Sequence, residues 1–399
     1  MQLSEIVILS AARTPIGSFG GTLSSQTPAQ LGTVAGKAAI ERAGVAAADI
    51  STAVFGHIIT TGAEDAYLAR HIALNCGLPV HSNAFQVNRL CGSGLQAILS
   101  AAQQLLLSGS QATKPLALCG GAESMSQGAF LLPGVRKGLR IGHSSVTDLT
   151  LGILTDPFGS GHMGVTAENI ARQYQFSRTE LDEFALLSQQ RAATAQQTGI
   201  FIQQIAPVAL AGPKGTTFCH QDEHLRPDTT LDSLAKLKPA FQQHGLVTAG
   251  NASGLNDGAA ALVLTTASYA KAHGLAARAR LHSCAFAGVE PNLMGLGPIP
   301  AVQQLLQQSG IGLADIAVIE SNEAFAAQAL AVSQTLGFDP ARVNPNGGAI
   351  ALGHPVGATG AILVVKALYE LERINAQFAL ITLCIGGGQG IALLLERTM

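Results

Sequence analysis

Three residues of this sequence join a reactive side chain to a glycine-rich setting. Cys91 lies in Val87-Asn88-Arg89-Leu90-Cys91-Gly92-Ser93-Gly94, just ahead of a long apolar run. A thiol there stands at a helix start, where unpaired N–H groups and the helix dipole favour a thiolate. The glycines leave backbone N–H groups open to a substrate carbonyl. The plainer alternative is an inert buried cysteine, and the polar, Gly-rich neighbourhood argues against it. His354 closes Asn344-Pro345-Asn346-Gly347-Gly348-Ala349-Ile350-Ala351-Leu352-Gly353-His354; taken alone, it is a structural histidine. Cys384 lies in Thr382-Leu383-Cys384-Ile385-Gly386-Gly387-Gly388-Gln389-Gly390. Those glycines do not make a dinucleotide loop, because the strand-like run Ile391 to Leu395 follows where a helix is needed. A Gly-rich turn beside a cysteine instead offers N–H donors for an oxyanion. Asn322, in Asn322-Glu323-Ala324-Phe325-Ala326, offers an amide at a helix start. That is an ordinary N-cap position, or a place to hold a catalytic water.

An internal repeat gives the reason for these residues to meet. Ala43-Gly44-Val45 with Asp49-Ile50 is echoed by Ser309-Gly310-Ile311 with Asp315-Ile316. Cys91 is echoed by His354, each opening an apolar helix, and Leu118-Cys119-Gly120-Gly121 by Leu383-Cys384-Ile385-Gly386. The separation is nearly constant, which argues for two copies of one α/β unit. If the copies pack about a pseudo-twofold axis, two helix starts share one site, and a Cys beside a His is the minimal activated-thiol pair. Cys119 is expected to be structural only.

The elements expected within the first copy are strands over Glu5–Ser10, Ala53–Ile59 and Leu116–Cys119, and helices over Ala29–Ala43 and Leu95–Leu107. Gly44 closes the first helix. The second is apolar on nearly every face and is expected to be buried. Strands alternating with helices predict an α/β fold with a largely parallel core sheet. From about Glu123 to His244 the chain is more polar, carries a helical stretch over Thr179–Gln196, and has no counterpart in the second copy. It is expected to be an insertion, with Gly/Pro/Thr-rich loops such as Ala211–Thr217 suited to covering a ligand.

Composition narrows the class. Hydrophobic residues make up 47% of the 399 and charged residues only 12%, which excludes an intrinsically disordered chain and points to buried subunit faces. A net charge of −2 is not the footprint of a nucleic-acid binder. No apolar run is expected to span a membrane, and Met1-Gln2-Leu3-Ser4-Glu5 does not begin a signal peptide. Six scattered cysteines predict free thiols and a cytoplasmic location. No Cys-x-x-Cys pair is present. The segment Cys219-His220-Gln221-Asp222-Glu223-His224 is expected to be a polar surface loop, and no metal site is expected.

The chain resembles the thiolase family, and within it the short-chain bacterial enzymes. The likeness runs from Ile6 to Glu396 and rests on Asn88 to Ala97, Glu123 to Ser126, His162 to Asn169, Thr248 to Gly258, Asn322 to Ala326, Asn346 to Gly360 and Cys384 to Gly390. It implies a duplicated, five-layered α/β/α/β/α fold. The N-terminal domain would be 1–121 plus 249–272, the loop domain covering coenzyme A 122–248, and the C-terminal domain 273–399. It implies an acetyl-CoA C-acetyltransferase with Cys91 as acyl-carrying nucleophile, His354 as its base and Cys384 as acid/base. One oxyanion hole would be formed by Asn322, through a water, with His354, and the other by the N–H groups of Cys91 and Gly386. Arg226, Ser233, Ala240, Phe241, Ser253, Ala324 and Phe325 match coenzyme A contacts, with His162 and Met163 near the thioester. No cofactor would stay bound: coenzyme A and acyl-CoA are substrates and products. The assembly would be a homotetramer, a dimer of dimers, with no nucleic-acid or membrane partner. Met163 and Met294 would wall a short acyl pocket, while Asp65 to Arg70 is similar to broader-specificity β-ketothiolases. Two departures from the family pattern are Pro345, where many relatives have Val, and the flexible Gly159-Ser160-Gly161.

The residue types fit Claisen chemistry, which needs a parked acyl group, a base for a weakly acidic carbon and donors for oxyanions. A thiol base requires a lowered pKa, and the Gly-rich donor loop is expected to supply it. A β-ketoacyl synthase would need a second histidine at Asn322 and no Cys384. A hydroxymethylglutaryl-CoA synthase would lack the Cys384 pattern. A degradative 3-ketoacyl-CoA thiolase and a non-catalytic acyl-CoA-binding protein are the remaining alternatives.

Overall fold

The computed structural model describes residues 2–108, 114–213 and 215–398. Nine strands carry its main sheet: β1 (Ile6–Arg13), β2 (Thr52–Gly56), β3 (Asn83–Val87), β4 (Leu116–Ser124), β5 (Asn256–Thr266), β6 (Ala279–Gly288), β7 (Ile316–Ser321), β8 (Phe378–Ile385) and β9 (Gln389–Arg397). A two-residue strand, Gly17–Ser18, pairs with β5. The longer helices are α1 (Pro28–Ala43), α2 (Leu68–Asn75), α3 (Ser93–Ser108), α4 (Met163–Gln173), α5 (Arg178–Gln197), α6 (Pro298–Ser309), α7 (Ala326–Leu336) and α8 (Thr359–Arg373).

Local chemistry fixes several of these ends. Thr27 and Gln30 form a reciprocal capping box, Pro28 takes the first helical turn, and Gly44 closes α1 in the left-handed conformation. Gly310 closes α6 in the same way. Strand β1 is buried on both faces: Ile6 and Ile8 enter one core and Val7 and Leu9 another, as period-two alternation requires.

The strands lie in the order β7-β8-β9-β6-β1-β5-β4-β2-β3. Outward from the β6–β1 seam, the first copy runs β1-β5-β4-β2 and the second β6-β9-β8-β7. The duplication seen in the sequence is thus a mirrored strand order about the seam. Even the irregularities correspond, since register breaks at Leu9 of β1 and at His282 of β6. The expectation of a largely parallel sheet is wrong. Only β2–β4, β2–β3 and β7–β8 run parallel; the five other neighbouring pairs are antiparallel. Crossover helices make the parallel pairs, but each copy ends on a strand that returns antiparallel, β5 between β1 and β4 and β9 between β6 and β8.

Helices α3 and α8 pack on each other between the two halves of the sheet, while α1 and α2 cover one outer face and α6 the other. This gives the five layers. The central pair buries wide apolar faces: Leu95, Ile98 and Leu99 of α3 and Ile362, Val365 and Leu368 of α8 share one core. Each such side chain contributes roughly 1.5–3 kcal/mol on burial. Contrary to the expectation from sequence, the window Leu90–Leu107 is long and apolar enough to cross a membrane, yet it is this core helix and mostly buried.

Between β4 and β5 the chain leaves the main sheet. It forms α4, α5 and small two-stranded sheets. Helix α5 is one residue longer at each end than expected, and Ser177 and Glu180 cap it. The stretch expected as loop at Ala211–Thr217 is a hairpin of Val208–Gly212 and Gly215–Cys219; Lys214 lies outside the described residues.

Candidate active site

Strand β3 delivers the chain to Cys91 through a tight turn. Leu90 takes the left-handed conformation (φ 46°), a strain of about 1–3 kcal/mol for a side chain of this kind. The Arg89 N–H donates to Ser93 Oγ at 2.7 Å and the Leu90 N–H to Asn88 Oδ1 at 3.1 Å. The turn therefore presents Cys91 ahead of the first turn of α3. In the second copy Gly353 (φ 106°) turns the chain, and the His354 N–H donates to Asn256 Oδ1 at 2.8 Å. The two helix starts touch through glycine. A Cβ on Gly94 would fall 2.7 Å from Ala361 N, and one on Gly360 would fall 2.4 Å from Leu95 N. The β8–β9 hairpin adds the third group. Its tip, Gly386-Gly387-Gly388, uses two left-handed glycines, Gly387 and Gly388, and places Cys384 opposite Gly390.

Cys91, His354 and Cys384 line one cavity of about 480 Å³. Its walls include Met163, Met294, Ala324 and Phe325, and its outer part includes His162, Arg226, Ala240, Phe241 and Ser253. Ser233 is elsewhere: it lines an adjoining cavity of about 300 Å³, which shares Arg226 and His224 with the first. Asn322 and Gly386 are buried and are not among the residues that line the cavity. Asn322 is 1% exposed, and both atoms of its amide lack a partner among the described residues. The backbone N–H groups of Gly386 and Cys91 favour the charged form of the Cys91 sulfur.

The electrostatics differ from expectation. Burial pushes the Cys91 thiol up to about 11, and the two N–H donors offset this only in part. Burial pushes Cys384 up too, and charge on Cys91 would push it further, which places the two sulfurs within electrostatic reach. Burial pulls His354 down to about 4. The site at rest therefore holds two thiols and a neutral imidazole, because loss of hydration outweighs helix-start and glycine-loop donors. His354 Nδ1 lies 2.6 Å from Thr359 Oγ1, and its Nε2 is buried with no partner among the described residues.

Aromatic rings build the outer wall. His162 stacks on Phe241 at 4.5 Å, and Phe241 meets Phe325 edge-on at 6.1 Å. His162 Nδ1 also accepts the Gly164 N–H and so caps α4. The segment expected as a polar surface loop is an anchor instead: Asp222 forms a buried bidentate pair with Arg13 at 2.7 and 2.9 Å, and Glu223 accepts from Ser18 and Thr22. These bonds hold His224 and Arg226 at the cavities. Residue-by-residue reading missed His224, Thr359 and a buried group of Asp65, His57 and Glu123 beside the site. The motifs at Glu123–Ser126 and Asp65–Arg70 marked two of that group, but neither for this contact, and His57 was not marked.

Comparison with known proteins agrees with this architecture. A family profile described as thiolase, N-terminal domain, matches residues 6–268, and one described as thiolase, C-terminal domain, matches 275–397. The chain is 51% identical to the beta-ketothiolase BktB of Cupriavidus necator, across 98% of this chain and 99% of that one. It is 46% identical to an acetyl-CoA acetyltransferase of Rhizobium meliloti across the whole of both. Among solved structures, the Bacillus anthracis acetyl-CoA acetyltransferase superposes with a TM-score of 0.95 at 42% identity, covering 99% of each chain. Human mitochondrial 3-ketoacyl-CoA thiolase in complex with CoA superposes with a TM-score of 0.94 at 40% identity, covering 99% and 98%.

Proposed function

The chain belongs to the thiolase family, and we propose that it is an acetyl-CoA C-acetyltransferase, reversibly condensing two acetyl-CoA into acetoacetyl-CoA and free coenzyme A. The observation that carries this reading is the meeting of Cys91, His354 and Cys384 in one cavity. As an acyltransferase it needs no resident cofactor; coenzyme A and its thioesters are the substrates and products.

His354 Nε2 takes the Cys91 proton as the sulfur attacks the acetyl carbonyl. A thiol near 11 beside an imidazole near 4 makes this general-base catalysis during attack rather than a resting ion pair. The N–H groups of Cys91 and Gly386 hold the tetrahedral oxyanion. The intermediate collapses to acetyl-Cys91, and the departing coenzyme A thiolate takes the Cys384 proton. After exchange for a second acetyl-CoA, the Cys384 thiolate removes a proton from its α-carbon. The enolate oxygen is held by the protonated His354 and by a water on Asn322. The enolate carbon then attacks acetyl-Cys91, and the released Cys91 thiolate recovers its proton from His354. Protons balance over the cycle, and the reverse sequence is thiolysis.

The 122–248 segment serves as the loop domain over coenzyme A. Arg226, Ser233, Ala240, Phe241, Ser253, Ala324 and Phe325 bind the coenzyme, and His162 and Met163 sit near the thioester. The shared placement of Arg226 in both cavities supports an extended ligand running through them. The flanking bodies are 1–121 with 249–272, and 273–399. Exposed Phe130, Leu131, Val135, Leu139 and Ile141 support assembly into a homotetramer. Six unpaired cysteines support a cytoplasmic location. The second reading, a degradative 3-ketoacyl-CoA thiolase, draws on the structural likeness to the human enzyme of that name; the methionine wall favours the short-chain reading over it.

The test is acetoacetyl-CoA cleavage by free coenzyme A, joined to intact-protein mass measurement after mixing with acetyl-CoA. One acetyl group per subunit is expected, absent in Cys91→Ala. Acetylation that persists in that variant refutes the assignment of Cys91.

A further inference from the structure

The buried charges nearest the Cys91 cavity take no part in the chemistry above. His57 follows β2 directly, Glu123 lies in β4, and Asp65 lies in the turn Ala63–Tyr67. His57 Nδ1 is 3.0 Å from Glu123 Oε1 and 3.1 Å from the Ala122 carbonyl. Its Nε2 is 3.5 Å from Asp65 Oδ2. The three side chains are 3%, 0% and 9% exposed. A histidine between two carboxylates at this depth holds its proton: burial alone would strip it, but Asp65 and Glu123 outweigh burial and raise it to about 10.

The 58–62 loop and the turn at Gly357, which pack beside Cys91, are both tied to this triad. Glu123 Oε2 accepts the Gly357 N–H at 2.9 Å and the Ile58 N–H at 3.2 Å, and Oε1 accepts the Ile59 N–H at 3.1 Å. Asp65 Oδ2 accepts from Thr61 Oγ1 at 2.8 Å and the Gly62 N–H at 3.2 Å. Ile58, Ile59 and Val356 pack with Met125 against Leu90 and Cys91. Gly357 lies in the turn between His354 and Thr359, and it has no room to drift: a Cβ there would fall 2.5 Å from Glu123 Oε2. One carboxylate thus holds the base-bearing turn of the second copy against the first copy, which carries the nucleophile.

We infer that Glu123, paired with the His57 imidazolium that Asp65 holds from its other side, is a positioning residue that sets where His354 stands relative to Cys91. The inference rests on the reading of His354 as the base for Cys91. Without the imidazolium, two carboxylates would face each other away from water, and their repulsion would release Glu123 from the loops. Without the Glu123 charge, three backbone N–H groups lose their strongest acceptor.

The test compares wild type with Glu123→Gln and with the milder pair His57→Gln and Asp65→Asn. Acetylation of wild type and its loss in Cys91→Ala first establish the nucleophile independently, so failure of that reading would show there. In either variant that purifies folded, kcat for acetoacetyl-CoA thiolysis should drop about 10- to 100-fold, as for a misplaced catalytic group. KM should stay within about twofold, and the rate of Cys91 acetylation should fall by the same factor as kcat. A merely structural triad would lower the melting temperature but leave kcat and the acetylation rate alone, so the kinetic readout decides. Wild-type kcat in either folded variant overturns the proposal.

Discussion

Thr359 Oγ1 lies 2.6 Å from His354 Nδ1 and donates its own hydrogen to the Pro355 carbonyl at 2.9 Å. With its hydrogen committed there, the hydroxyl accepts from His354. The proton of the neutral imidazole therefore sits on Nδ1, and the lone pair sits on Nε2, the nitrogen that faces Cys91 in the proposed mechanism.

Thr359→Val keeps the shape and removes the acceptor. Both tautomers then become accessible and the ring loses its brace. Outer partners of this kind typically contribute 10- to 100-fold, so kcat should fall by about that factor with little change in KM. Steady-state thiolysis kinetics decide it; an unchanged kcat means another group fixes the tautomer.

The resting protonation state has its own signature. Burial holds Cys91 near 11, so alkylation by iodoacetamide without substrate should keep rising from pH 7 to pH 10. A rate that levels off below pH 8 would reveal a preformed thiolate–imidazolium pair and contradict general-base activation.

Cys384→Ser separates the half-reactions. Cys91, His354 and the two backbone donors survive the change, so self-acetylation should persist at a reduced rate. Condensation and thiolysis should collapse, because serine at this buried position is a far weaker acid/base. Near-normal turnover would show that a different group moves the α-proton.

The convergence of Cys91, His354 and Cys384 was legible because the repeat is written in local motifs: a glycine-flanked helix start in each copy, and a strand ending in cysteine and glycine. Helix α3 was legible because its apolar residues occupy nearly every face. Strand direction was not. Val263 and Leu393 belong to uniformly apolar runs, and such runs carry no record of which neighbour they join or in which sense. The Asp65–His57–Glu123 group was invisible for a related reason: its partners come from three segments whose sequences give no sign of mutual contact. The thiol pKa values were misjudged because the sequence displays donors such as the Gly386 N–H but hides the desolvation that outweighs them.

The triad also predicts how stability responds to pH. His57 rises from 6.5 to about 10 on folding, so its contribution is fully present below pH 6.5 and is lost as pH climbs through about 10. Asp65 falls from 3.8 to about 2, so its contribution is present above pH 3.8 and is lost as pH drops through about 2. Both are complete between pH 3.8 and 6.5. Thermal melts should show His57→Gln well below wild type at pH 6, with the gap closing by pH 10. A gap that stays constant over that range would mean that His57 carries no bound proton in the folded state.

The proposed activity gives the two methionines that line the cavity a role in acyl chain length. Met163 and Met294, both buried, form a cluster with Ala324 and Cys384. Met163 Cε stands only 2.3 Å from where a Cβ on Gly386 would lie, so this methionine packs directly on the Gly386 turn. Each added methylene that fits gains about 0.8 kcal/mol, whereas forcing one into a filled wall costs about 1–3 kcal/mol. Methionine adapts more readily than branched side chains, which leaves room for a small extension. Acetoacetyl-CoA should therefore be the best thiolysis substrate, a five-carbon ketoacyl-CoA should be accepted, and a sixteen-carbon one should fail. Met294→Ala should raise kcat/KM for the five-carbon substrate relative to acetoacetyl-CoA. Measuring kcat/KM for the three substrates on both proteins settles the point, and a long-chain preference in the wild type would give the activity to the degradative class and remove the methionines from the pocket wall.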